Sequence, residues 1–85
     1  MEQNTLTPNQ AILLQQIYED DEDDIRSLSD EVGISRTNTI RGVLKLEQKG
    51  LVDLHDSFDG LVLRVSARGR AVVRKLWPEA KALFV

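Results

Sequence analysis

Apolar residues recur at helical spacing through the first half of the chain and alternate in pairs of short runs further on. Thr7-Pro8-Asn9-Gln10 reads as a capping box, with Thr7 as N-cap, Pro8 at the first helical position and Gln10 reaching back. Ala11, Ile12, Leu14 and Ile17 follow, with Leu13 and Tyr18 on the flanks, which predicts a helix from Pro8 to Tyr18. Ile25, Leu28 and Val32 mark one face of a second, short helix that Gly33 ends. Ile34 and Ser35 complete a three-residue turn, and Ser35 can cap a third helix over Arg36–Lys49. On that helix Ile40, Val43, Leu44 and Leu46 group on one side, while Asn38, Arg41, Lys45 and Lys49 gather opposite. Two runs rich in Val and Leu, residues 51–55 and 61–65, predict strands; Asp59-Gly60 between them signals a hairpin turn. Ser66 can cap a last helix from Ala67, with Val72, Val73 and Leu76 turned inward, until Pro78 kinks or splits it. Ala80, Leu83 and Phe84 form a small apolar stripe beyond.

The order helix, helix, turn, helix, hairpin, helix predicts an α+β, mainly α fold of the winged helix-turn-helix kind. It has a three-helix core, a two-stranded wing and a C-terminal helix. The chain of 85 residues has room for one such domain. Its core is expected over residues 6–76, with an acidic loop at 19–24 and a C-terminal segment at 77–85.

Three stretches carry a family resemblance. They are Leu6-Thr7, the run from Ile25 through Val32-Gly33-Ile34-Ser35-Arg36, and Leu46-Glu47-Gln48-Lys49-Gly50-Leu51-Val52. Together they resemble MarR-type bacterial winged-helix regulators, with their LT start, their helix-turn-helix and their "LE.kGLV" entry into the wing. Val65-Ser66-Ala67-Arg68-Gly69 is similar to the family's exit from the wing. The resemblance implies a DNA-binding transcriptional regulator, by default a repressor, acting as a dimer on duplex DNA. Two departures stand out. The wing tip, Ser57-Phe58-Asp59, lacks the Arg that the family sends into the minor groove. On this reading the chain would also hold little of the family's flanking dimerisation helices.

Charge first argues against a nucleic-acid partner, because the net value is −3. Its distribution changes the picture. Residues 1–24 hold seven acids and no Lys or Arg, whereas residues 25–85 are net basic. The block Glu19–Asp24 lacks the spaced acids and central Gly of a helix-loop-helix calcium site, so a solvated loop whose last acid caps the next helix is expected. With no Cys there is no disulfide framework, thiolate metal site or Cys nucleophile, which suits a reducing, cytoplasmic setting. No apolar run is long enough for a membrane span, and the first residues do not resemble a signal peptide. A lone His55 makes a metal site improbable, and no nucleophile motif or Gly-rich phosphate loop supports catalysis or a cofactor.

The candidate DNA-binding residues are therefore Ser35, Arg36, Thr37, Asn38, Arg41, Lys45 and Lys49 on the third helix, and Arg64 in the wing. Arg offers a bidentate fork to guanine, Asn can pair with adenine, and Lys neutralises phosphate. Ser66, Arg68 and Arg70 are candidates to flank the same duplex. Trp77, Leu83 and Phe84 are the candidate homodimer surface. The alternative reading is a winged-helix protein-interaction module or DNA-mimicking adaptor that does not bind DNA. It would engage a protein partner through Phe58 or the acidic loop.

Overall fold

Each helix starts where a side chain closes its first turn. The computed structural model describes residues 6–58 and 60–77. The elements are α1 (Pro8–Asp20), α2 (Ile25–Val32), α3 (Arg36–Gln48), β1 (Val52–Ser57), β2 (Gly60–Val65) and α4 (Ala67–Leu76). At α1 the Gln10 amide donates to Thr7 Oγ1 (3.2 Å) and the Thr7 amide to Gln10 Oε1 (3.3 Å), closing the expected capping box. Asp24, Ser35 and Ser66 cap α2, α3 and α4 in the same manner, accepting the amides of Ser27, Asn38 and Gly69. Gly33 ends α2 at φ 71°, a left-handed conformation that glycine adopts without steric cost.

β1 and β2 pair antiparallel from Val52↔Val65 to Ser57↔Gly60. The strands run further toward the tip than expected, leaving only residues 58 and 59 between them. Phe58 is fully exposed there; Asp59 lies outside the described residues, as do Pro78, Ala80, Leu83 and Phe84. The core joins Leu13, Leu14 and Ile17 of α1 to Leu28, Val43, Leu46, Leu51, Val52, Leu63, Val65, Val72 and Val73.

Three expectations are corrected. First, the acidic stretch is not simply a solvated loop. Glu19 and Asp20 extend α1, where the Gln16 side-chain amide donates to the Asp20 carboxylate one turn on. Asp23 is buried and bridges to β2: its amide donates to the Leu63 carbonyl (3.0 Å), and the Leu63 amide donates back (2.7 Å). Burial, then the carboxyl groups of Asp20 and Glu31, push the Asp23 carboxyl up to about 8.

Second, α3 is rotated from the expected orientation. Its inner face is Thr39, Gly42, Val43 and Leu46, whereas Ile40 (41%) and Leu44 (46%) are exposed. Thr39 is satisfied inside because its hydroxyl donates to the Ser35 carbonyl at 2.9 Å. Gly42 lets α1 approach: a Cβ there would lie 2.4 Å from Leu13 Cδ1. Two small or locally hydrogen-bonded residues thus allow closer helix contact than two large aliphatics would.

Third, Ile12 and Leu76 are exposed, while Leu13 is completely buried.

Candidate nucleic-acid interface

The rotation of α3 decides what the helix offers to a partner. At 100° per residue the direction opposite the buried face passes through Thr37, Arg41, Leu44 and Gln48. Arg36, Asn38, Ile40 and Lys45 flank that line. All eight are exposed. Ser35 caps the helix at the same end, and its hydroxyl oxygen accepts the Asn38 amide at 3.2 Å.

The candidate cations differ in what they already do. Among the described residues, Arg36, Arg41 and Lys45 have no hydrogen-bond or ion-pair partner. Lys49 is half-buried instead and donates from Nζ to Gln10 Oε1 at 2.9 Å, which ties it to α1. Arg64 pairs with Glu22 through both Nε and Nη2, and that carboxylate raises the affinity of the guanidinium for its proton. Arg68 reaches back to the Lys49 carbonyl at the end of α3 (3.4 Å). Arg70 and Arg74 line a recess of about 280 Å³ with Ile17, Tyr18, Glu19, Asp21 and Val65, at the C-terminal end of α1. Arg36, Arg41 and Lys45 thus lie unengaged along the outer side of α3, from its first turn to its last. Arg70 lies beside the opposite end of α1.

A feature missed in the sequence lies next to those cations. Thr7, Asn9 and Gln10 at the start of α1 line a shallow groove of about 150 Å³ with Asn38, Arg41, Gly42 and Lys45. A helix N-terminus favours anions, so the groove combines dipole, amide and cationic groups on one side. The capping box marked where α1 begins, but only the α1–α3 packing through Gly42 shows that this end adjoins Arg41. Trp77 is half-buried and packs against the core of its own chain. Leu83 and Phe84, the remaining expected dimer contacts, lie outside the described residues. Among the described residues, no helix is long and apolar enough to cross a membrane.

Comparison with solved structures identifies the fold. BpsR of Bordetella bronchiseptica, whose DNA binding is regulated by 6-hydroxynicotinic acid, superposes with a TM-score of 0.80 at 16% identity, over 93% of this chain and 58% of its own. A MarR family protein from Bacillus stearothermophilus gives 0.80 at 20% identity, covering 93% and 56%. The transcriptional regulator PcaV of Streptomyces coelicolor gives 0.73 at 26% identity, covering 84% and 52%. The chain thus spans between 52% and 58% of the lengths of these three proteins. No protein-family model matches the sequence, and no curated protein matches it.

Proposed function

We propose that this chain, whose fold is the MarR-like winged helix, is a DNA-binding transcriptional regulator that docks α3 in the major groove. The observation that carries the reading is the outer face of α3, where Arg36, Arg41 and Lys45 are exposed and unpartnered beside Asn38. An α-helix fits the major groove, and in this architecture the second helix of the helix-turn-helix is the one that enters it. Arg41 and Asn38 are the proposed base readers. Leu44 and Ile40 are suited to thymine methyl groups. Lys45, Arg36, Thr37 and the Ser35 hydroxyl contact phosphate, joined by the start of α1. Lys49 and Arg64 act through their own chain, by fixing α1 against α3 and the acidic segment against the wing. Repression is the proposed mode, since a protein lodged in the groove occludes the duplex. A homodimer, formed through Trp77 and the segment that follows it, would set the spacing of two half-sites.

Fluorescence anisotropy with a labelled random-sequence duplex tests the reading. About four neutralised phosphates correspond to a roughly 100-fold loss of affinity between 50 and 200 mM salt. No binding at the lower salt removes the reading.

A further inference from the structure

Away from the α3 face, three acids converge where α1, α2 and the sheet meet. Asp20 is the last residue of α1, Asp23 forms the bridge to β2, and Glu31 lies in the last turn of α2. Each supplies a carboxylate oxygen, and the three oxygens lie within 4.8 Å of one another. Asp23 is only 9% exposed. Its Oδ1 accepts the Asp24 amide at 2.9 Å, while Oδ2 is buried with no hydrogen-bond partner.

Like charges at this separation repel, and a buried carboxylate oxygen without a donor is costly. Asp20 and Glu31 also stand at helix C-termini, where the backbone dipole already disfavours negative charge. A positive charge among the three oxygens relieves all of these penalties. It can be a proton or a metal ion.

We propose that Asp20, Asp23 and Glu31 form a binding site for one Ca²⁺ ion, its remaining positions filled by water. The donors are all carboxylate oxygens, which select a hard cation. Calcium–oxygen distances of about 2.3–2.6 Å let two ligands lie up to about 5 Å apart across a shared ion, which spans the observed cluster. Mg²⁺ demands near-ideal octahedral geometry at about 2.1 Å and gives up its water reluctantly, which three carboxylates on separate segments suit less well. The site draws only two of its acids from the run at 19–24, and Glu31 comes from the next helix, so the spacing of the run alone does not reveal it. A bound ion would tie the end of α1 to the first helix of the helix-turn-helix.

Isothermal titration of CaCl₂ into the chelator-stripped full chain at neutral pH, with MgCl₂ in parallel, tests this. One Ca²⁺ per chain is expected, bound more tightly than Mg²⁺, with the melting temperature raised by the ion. Glu31 is exposed, so Glu31→Gln should keep the fold while weakening Ca²⁺ binding at least tenfold. Asp23→Asn should do the same, and Asp30→Asn, on the neighbouring acid, should not. Absence of binding up to about 10 mM, well above the weakest calcium modules, would show that the cluster holds only a proton and overturn the proposal. So would equal binding by wild type and Glu31→Gln, which indicates diffuse attraction to the acidic segment, or tighter binding of Mg²⁺ than of Ca²⁺.

Discussion

Replacing Arg41 and Lys45 together by Ala is expected to lower affinity for duplex DNA about 100-fold and to leave the melting temperature unchanged. Both side chains are exposed on α3, and neither has a hydrogen-bond or ion-pair partner among the described residues. Their removal therefore subtracts only what they would give to DNA. A bidentate Arg–guanine contact is worth about 1–3 kcal/mol, and a Lys–phosphate contact adds counterion release. Two lost contacts amount to about 3 kcal/mol and should flatten the salt dependence by about two contacts' worth. Anisotropy titrations at several salt concentrations read both quantities. Lys49→Ala and Arg64→Ala are informative contrasts, because those cations are already held by Gln10 and Glu22. Unchanged affinity in the double variant would move the binding face off α3.

The largest effect on stability is expected at Gly69→Ala. A Cβ there would lie 2.1 Å from the Leu51 carbonyl oxygen and 2.6 Å from Val65 Cγ1. The oxygen cannot rotate away, since it belongs to the backbone and accepts the Ser66 amide at 3.0 Å. To admit the methyl, α4 must lift from the sheet, which disturbs the buried Val72 and Val73. Overpacking of this kind costs about 3 kcal/mol, partly offset by about 1 kcal/mol from alanine's helix preference. The net loss is a sizeable share of a small domain's total stability and corresponds to a fall of about 10–15 °C in melting temperature. Thermal unfolding followed by circular dichroism measures it. A melting temperature at or above that of the wild type would mean that α4 yields easily.

The two faces of α3 also show where the sequence was informative and where it was not. Arg41 and Lys45 follow from helical spacing alone, because charged side chains on a regular helix point away from whatever is buried. The caps at Thr7, Asp24, Ser35 and Ser66 are local chemistry and were legible for the same reason. The rotation of α3 was not. Ile40 and Leu44 carry the hydrophobicity that suggests burial, yet Thr39 and Gly42 occupy the interior by virtue of a local hydrogen bond and a missing Cβ. Hydrophobic patterning weighs the attraction of a side chain for the core. It does not register how closely two backbones can approach. The same limit hid the α1 start beside Arg41, and the burial of Asp23 within an otherwise exposed acidic run. The partners of Lys49 and Arg64 lie 39 and 42 residues away along the chain, so only the folded arrangement brings them together.

The central claim is that α3 is the surface that meets DNA. An amide NMR titration of the chain with a random-sequence duplex, at low and at higher salt, tests it residue by residue. Shifts are expected to concentrate on Ser35–Gln48 and the first turn of α1 and to fade as salt rises, with Tyr18–Asp24 and Arg70–Arg74 still. Shifts confined to the recess around Arg70 and Arg74, or none at low salt, would contradict the claim.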